Sequence, residues 1–262
     1  VDGQWHIEWA IELRLTALPA GYHRLRIEGD GEHGTRGELL VIAAPARCFE
    51  PPALEGDGRS WGLAAQLYAV RSAGQWGMGD FSDLAQLAQT AAGLGAGVVG
   101  LNPLHALFGH NPRHASPYSP SSRLHLNTLY IDVEAVPEFA TCEVAQRTVR
   151  SAEFQTRMSA LRAAPLVDHA GVAACKHEVL RLLHAQFLSL PAGDPRVQAF
   201  EEFRAERGEV LRRHALFEAL QAHCLAQDPQ CWGWPVWPPA LRDPRSAEVA
   251  AFAREQAHAV GY

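Results

Sequence analysis

The sequence has 262 residues, 47% of them hydrophobic, which is enough to bury the core of one large domain or two smaller ones. Lys and Arg number 23 against 29 Asp and Glu, a formal charge of -6. This balance excludes the basic field that nucleic acid or an anionic membrane requires, and it favours a neutral or cationic small-molecule partner.

The cysteines suggest the compartment of the protein, and the chain start suggests that the sequence is part of a longer one. Five cysteines are scattered without a C-x-x-C pair, which argues against a zinc knuckle and a disulfide framework and favours a reducing cytoplasm. No apolar run is long enough to span a bilayer, and no signal segment is visible. Because the chain begins at Val1 inside a patterned segment, we expect it to be cut from something longer.

The first part of the chain alternates apolar and polar residues. IELRLT (11–16) and HRLRIE (23–28) have the period of two that predicts strands, and ELLVIAAP (38–45) predicts a third. We therefore expect residues 1–54 to be the end of a small antiparallel β module, since three strands close a domain poorly.

A Pro/Gly linker, PPALEGDGRS, separates this module from a segment with a different pattern. WGLAAQLYAV (61–70) predicts a buried strand, Asp80 is placed to cap a helix over 81–95, and VVGLNPL (98–104) predicts the next strand. Strand, helix and strand predict a βαβ unit with a parallel sheet.

From Ser151 onward the pattern is helical. Helices are predicted over 167–188, with Asp168 as the cap, over 208–227 and over 245–260. The alternation of strand and helix does not resume, so two or three parallel strands cannot close an eight-stranded barrel, which takes about 250 residues.

Two groups of residues suggest ligands that the sequence supports only weakly. Gly74, Gly77 and Gly79 in the loop before Asp80 could expose N–H groups to a phosphate, but the Lys-Ser/Thr of a P-loop is missing, and glycines that merely turn the chain are favoured. A metal site is suggested by three nearby histidines without carboxylate or cysteine at ligand spacing, so no metal is predicted; they are His105, His110 and His114.

Two acids and three tryptophans suggest a site that binds or cleaves carbohydrate. Asp132 and Glu134 on a predicted strand would share one face at about 6.6 Å of rise, within reach of a glycosidase pair, although acids that cap a turn or face water are favoured. Indole rings stack on sugars, but tryptophans between prolines are more often packing anchors; these are Trp232, Trp234 and Trp237.

The segment from Asn102 to Asn127 is the strongest candidate site. It follows the carboxyl end of an α/β strand, and at about 25 residues it has a length that is uncommon unless functional. Within SPYSPSSR, prolines on both sides would hold Tyr118 and the hydroxyl of Ser116 at low entropic cost. Hydroxyls beside an aromatic ring suit a carbohydrate; an ordinary ordered surface loop is the alternative.

From Trp61 to Glu138 the sequence, above all SPYSPSSR together with LYIDVE, resembles the 4-α-glucanotransferases, also called amylomaltases or disproportionating enzymes. The likeness is looser in VDHAGVAACKHEVLRLL and WPVWPPALRDP. LPAGYHRLRI with VIAAPARCF is similar to the end of the N-terminal β module in longer bacterial members.

This resemblance implies a TIM-barrel enzyme that transfers α-1,4-glucan segments between maltooligosaccharides by a retaining double displacement, with no cofactor. The expected fold class is α/β: an incomplete TIM (β/α)8 barrel over 55–150, a helical insertion subdomain over 151–262, and part of the small β module over 1–54. The family's order places the catalytic carboxylates beyond Tyr262. We therefore expect no catalytic residue in this chain and no activity from it in isolation.

The resemblance carries site roles to two residues. Ser116 and Tyr118 match residues that line the subsites next to the cleaved bond, where Tyr118 would stack on or hydrogen-bond the donor glucose. Thr128 stands where the family usually has Pro, a departure that loosens one turn.

A non-catalytic glucan-binding or regulatory module that has kept the groove is the alternative. The reading frame after Tyr262 discriminates, since barrel strands ending in acids favour the enzyme and a stop codon favours the module. In either case the expected partners are maltooligosaccharides and α-1,4-glucans, without nucleic acid or membrane.

Overall fold

The computed structural model describes residues 18–28 and 36–262, and the chain divides into two compact units, residues 1–59 and 60–262. In the first unit β1 (Gly21–Glu28) pairs antiparallel with β2 (Arg36–Ala43). These strands confirm two of the three predictions for this part of the chain. The third, IELRLT, lies outside the described residues.

The second unit opens with the predicted βαβ arrangement. β3 (Gly62–Ala65) is followed by α1 (Phe81–Gly93) and β4 (Val98–Leu101), and β3 pairs with β4 in parallel. Asp80 caps α1 as predicted, because its side chain accepts from the N–H of Asp83 while the Asp83 carboxylate accepts from the N–H of Asp80.

The prediction of one long buried strand over 61–70 is wrong in two respects. The strand stops at Ala65, because the Leu67 N–H donates to the Asn102 side chain at 2.8 Å and the chain turns into a 3-10 helix there. The strand is also open to solvent, with Leu63 39% exposed, since in the described part of the chain β3 has only β4 as a neighbour.

After β4 the chain forms an irregular hairpin. β5 (His105–Ala106) pairs antiparallel with β6 (Ser122–Leu126), and the register shifts between the two residues of β5. Residues 107–121, which include most of SPYSPSSR, connect the two strands.

The remainder of the second unit is helical, beginning at Glu143. Its helices are α2 (Glu143–Arg150), α3 (Ala152–Ala163), α4 (His169–Leu188), α5 (Pro195–Gln227), α6 (Ala247–Glu255) and α7 (Ala257–Gly261). The predicted cap of α4 is confirmed, since Asp168 accepts from the N–H of Gly171 at 3.0 Å.

Two predicted helices differ in extent. α5 is two helices joined at Gly208, whose φ of 53° and ψ of -136° are not helical; the prediction found the second half and missed residues 195–207. The predicted helix over 245–260 is interrupted at Gln256, which has φ -106° and ψ 31° and separates α6 from α7.

Two apolar clusters form the core of the described second unit. The larger packs the loop before α1 and the turn after β6 against α2, α3 and α4, around Trp76, Phe154 and Val179. The smaller cluster packs the second half of α5 against α6 and against the segment that contains Trp237, around Leu220 and Trp237. Within the described ranges, no helix combines the length and apolarity needed to cross a membrane.

Candidate functional site

Two buried asparagines fix the ends of the loop that the sequence singled out. The Asn102 side chain accepts from the Leu67 N–H. It donates to the Tyr130 hydroxyl at 3.0 Å and to the Pro103 carbonyl at 2.8 Å. At the other end, the Asn127 N–H donates to the Leu104 carbonyl at 3.0 Å. The loop therefore leaves and re-enters the body of the unit at set positions.

Three tight turns shape the loop between β5 and β6. Each turn is closed by a backbone hydrogen bond. The N–H groups of Asn111, His114 and Ser119 donate to the carbonyls of Phe108, Asn111 and Ser116 respectively. The ring of His114 stacks on that of Phe108, with centroids 4.8 Å apart. The path of this partly exposed segment is thus set mainly by local hydrogen bonds.

The third turn carries both predicted site residues. Pro117 occupies its second position, where the fixed φ of proline suits a turn, and Tyr118 occupies the third. The Tyr118 side chain is 71% exposed, and Ser116 and Ser119 are exposed beside it. A phenol and two hydroxyls are therefore presented to solvent on one short, constrained segment.

A carboxyl that the sequence-based predictions missed supports this loop from α5. Glu218 lies 3.5 Å from the Ser121 hydroxyl, which is also 3.0 Å from the Leu107 carbonyl and 3.1 Å from the Ala106 carbonyl. Burial raises the pKa of the Glu218 carboxyl to about 7, against the opposing effect of hydrogen bonds from Ser121 and from the Gly109 backbone.

A buried lysine holds the segment that follows the loop. Lys176 of α4 is fully buried, and its ammonium donates to the carbonyls of Leu129 and Ile131, both at 2.7 Å. Burial lowers its pKa to about 8, against the attraction of Asp80 and Asp132. The sequence signal for this contact is a lysine four residues after Val172, on the apolar stripe of α4.

The prediction that Asp132 and Glu134 share the face of a strand is wrong. Residues 128–130 form a 3-10 turn, and the chain then turns again, with Asp132 accepting from the N–H groups of Glu134 and Ala135 at 3.1 and 3.3 Å. Glu134 accepts from the indole N–H of Trp76 at 3.2 Å. The favoured interpretation, acids that cap a turn, is confirmed for Asp132, while Glu134 is engaged by Trp76.

Two of the three candidate glycines, Gly77 and Gly79, pack against protein and do not form an open phosphate cradle, whereas Gly74 is exposed with no atom close to it. Residues 75–80 are all buried. A side chain at Gly79 would overlap the Leu67 carbonyl oxygen, and one at Gly77, which has φ +85°, would lie 2.7 Å from Leu161 Cβ. These glycines allow close packing and turn the chain, as the favoured interpretation holds.

The tryptophan and histidine candidates separate in the structure. Trp237 is 2% exposed and stacks on Phe217 at 5.6 Å, which confirms it as a packing anchor, whereas Trp232 and Trp234 are exposed. In the part of the chain that the structure describes, no cluster of three His, Cys, Asp or Glu side chains could hold a metal ion. All five cysteines are free thiols.

Comparison with known proteins identifies the family. Residues 65–262 match the 4-alpha-glucanotransferase family. The chain belongs to this family. It is 37% identical over 230 residues to the 4-alpha-glucanotransferase of Haemophilus influenzae, covering 86% of this chain and 32% of that protein. It is 36% identical over 271 residues to the 4-alpha-glucanotransferase of Mycobacterium tuberculosis H37Rv, covering 100% of this chain and 35% of that protein.

A solved structure of a family member extends the similarity to the fold. The crystal structure of amylomaltase from Corynebacterium glutamicum superposes with a TM-score of 0.63 and 29% sequence identity, covering 93% of this chain and 33% of that one. The fold is thus of the α/β type found in that amylomaltase. The chain spans about a third of the length of the relatives it matches.

Proposed function

We propose that the whole protein transfers α-1,4-glucan segments between maltooligosaccharides, as a 4-α-glucanotransferase, and that this chain supplies part of its sugar-binding surface. The family membership supports the activity. The observation that carries the contribution of this chain is the turn from Ser116 to Ser119, which presents an exposed phenol and hydroxyls on a backbone fixed at both ends.

In this proposal Ser116 and Tyr118 line the subsites next to the cleaved bond. The ring of Tyr118 stacks on the apolar face of the donor glucose, and its hydroxyl exchanges hydrogen bonds with a ring substituent. The contact contributes to rate where it is stronger in the distorted, oxocarbenium-like transition state than in the ground state.

The reacting carboxylates are proposed to belong to another part of the whole protein, so that this chain holds no catalytic residue. Asp132 and Glu134 support this view, because both are engaged in structural hydrogen bonds, with a turn and with Trp76 respectively. The reaction we propose is a retaining double displacement and uses no cofactor.

The architecture we infer is a (β/α)8 barrel of which β3, α1 and β4 form the first units. Residues 55–150 would then carry the barrel units and the sugar-facing loop, 151–262 a helical insertion, and 1–54 the end of a β module. The parallel pairing of β3 with β4 and the likeness to the amylomaltase structure support this. The five free thiols support a cytoplasmic location, and the net charge of -6 supports partners that are glucans and not nucleic acid.

Transfer by the whole protein tests the proposal. Incubation with maltotriose should release glucose and form longer maltodextrins, whereas this chain alone should form neither. Binding of maltotriose without transfer would instead support a non-catalytic glucan-binding module.

Substitution of Tyr118 tests the site. Tyr118→Ala should lower kcat/KM about tenfold or more, and Tyr118→Phe by a smaller factor that reflects one lost hydrogen bond. Tyr22, which is also exposed, gives the matched control Tyr22→Phe, for which no change is expected. Unchanged kinetics in both Tyr118 variants would remove this residue from the site.

A further inference from the structure

One face of α5 packs against the hairpin that carries Tyr118. His214 and Glu218 are four residues apart in the second half of the helix and so lie on the same face. The ring of His214 stacks on that of His125 in β6, with centroids 4.0 Å apart and an interplanar angle of 10°. Glu218 reaches Ser121 at 3.5 Å.

The hydrogen-bond accounting around Ser121 favours a protonated Glu218. The Ser121 hydroxyl has one hydrogen, yet three acceptors surround it: Glu218 and the carbonyls of Ala106 and Leu107. A protonated Glu218 can donate to the Ser121 oxygen, which leaves the serine hydrogen for a carbonyl. The other carboxyl oxygen then accepts from the Gly109 N–H.

The histidine stack adds a second requirement, that the rings be uncharged. Parallel rings in contact repel each other when both are protonated. Burial lowers the pKa of His214 to about 4 and, together with the nearby Arg207, lowers that of His125, so both rings are neutral at neutral pH. The Ser122 hydroxyl lies 2.9 Å from His125 Nδ1 and helps to orient that ring.

We propose that His214 and Glu218 are positioning residues, which clamp the hairpin of residues 105–126 to α5 and thereby hold Ser116 and Tyr118 in place for the sugar. The proposal rests on the function proposed above for Tyr118 and deepens it by assigning the support of the loop to α5. Neither residue needs to touch the substrate.

The clamp is pH-dependent on both sides. The groups that act on Glu218 are Ser121 and Gly109, and those that act on the histidine pair are Arg207 and the rings themselves. The folded pKa of Glu218 lies above its ordinary value of 4.5, so its contribution to stability is complete below that value and is lost as the pH rises to about 7.

The contribution of His214 to stability depends on pH in the opposite direction. The folded pKa of His214 lies below its ordinary value of 6.5, so its contribution is complete above 6.5 and is lost as the pH falls to about 4. Between pH 4.5 and 6.5 the two losses oppose each other, and above 6.5 only the loss at Glu218 remains. The hairpin therefore loosens on the alkaline side, because an ionised Glu218 no longer donates and draws the Ser121 hydrogen away from the Ala106 and Leu107 carbonyls.

Hydrogen exchange of the whole protein tests the clamp without reference to activity. Between pH 6.5 and 8.5, where the histidine contribution is complete, amide protection in residues 107–121, corrected for intrinsic exchange rates, should fall about fivefold as Glu218 ionises, the factor that corresponds to one lost hydrogen bond. Glu218→Gln keeps a donor and an acceptor but does not titrate, so protection should stay high and lose its pH dependence. Glu218→Ala should show low protection throughout.

Matched variants and kinetics complete the test. Glu206→Gln, an exposed acid in the first half of α5, should behave as wild type. The kcat/KM for maltotriose should follow the protection of the loop with pH, and this dependence should flatten in Glu218→Gln. If Glu218→Ala does not fold, Glu218→Gln decides alone. Loop protection that falls with pH equally in wild type and Glu218→Gln, or in neither, overturns the clamp. A pH-dependent loop in a protein that transfers no glucan leaves the clamp standing and refutes the proposed function.

Discussion

Two neighbouring segments of the second unit, the loop 107–121 and the segment 128–136, are built in opposite ways. The loop follows local turns, is contacted from α5 by Glu218, and leaves Tyr118 71% exposed. The segment buries Tyr130 and Val133 to 2% exposure each and is held from beneath by Lys176. The first presents side chains, and the second anchors the chain that presents them.

This difference predicts where mutations act. Substitutions at exposed positions of the loop should change ligand binding with little change in stability, because few contacts are lost. Substitutions at the contacts that hold 128–136 should change stability first, because they leave buried polar groups without partners.

The largest expected effect comes from removing the lysine beneath the segment. Lys176→Met leaves the carbonyls of Leu129 and Ile131 unpaired and removes the cation near Asp80, so the free energy of unfolding should fall by about 3–5 kcal/mol. Urea denaturation measures the change, with the exposed Arg254→Met as a control that should differ little from wild type. Equal midpoints for wild type and Lys176→Met would show that the segment is held by other contacts.

The same lysine should make stability depend on alkaline pH. Its folded pKa of about 8 lies below its ordinary value of 10.5, so between these values the unfolded chain binds a proton that the folded chain does not. The free energy of unfolding, relative to that of Lys176→Met at the same pH, should rise with pH across this interval by on the order of 2–3 kcal/mol. A difference that stays flat or falls would mean that Lys176 keeps an ordinary or raised pKa.

A smaller loss is expected from the glycine loop that packs beside this segment. Gly79→Ala forces a methyl group against the Leu67 carbonyl and should cost about 1–3 kcal/mol. Gly74→Ala in the same loop meets no atom within 4 Å and is the matched control. Equal stability of the two variants in thermal or urea unfolding would contradict the tight packing.

The smallest effect should be a gain. Thr128 begins the 3-10 turn, where a proline fits, and Asn127 before it has the extended φ -69° and ψ 119° that a following proline favours. Thr128→Pro should stabilise by about 0.4–1 kcal/mol through the unfolded state. Thr141→Pro removes the donor to Glu138 and should destabilise. A loss in Thr128→Pro would show that this turn does not suit proline.

The sequence predicted the features that depend on near neighbours. Asp80 and Asp168 were identified as caps because a cap acts within three residues, and the SPYS turn follows from Pro117. The prediction of a strand through Asp132 was wrong. The turn capped by the Asp132 side chain and the hydrogen bond from the distant Lys176 to the Ile131 carbonyl outweigh the β propensity of this segment.

Other features depend on contacts between residues far apart in the chain. Glu218 acts on a loop 97 positions earlier, and a helical pattern does not reveal which face will meet that loop. Residues 195–207 were missed although Val197, Phe200 and Phe203 recur at helical spacing, because most of the segment is exposed and the contact of Phe200 with Phe187 of α4 is not evident from local spacing.

The break at Gly208 has a mechanical consequence for the helical region. An unbroken helix of the 33 residues in α5 would be a rod about 50 Å long that carries any tilt from one end to the other. Instead, the first half is fastened by Arg196 to Glu138 at 2.9 Å, and the second by Leu216 and its neighbours in the smaller core cluster. The break at Gly208 lets the two halves follow different directions, so the half that bears His214 and Glu218 is aligned by the smaller core cluster and not by the contacts of the first half.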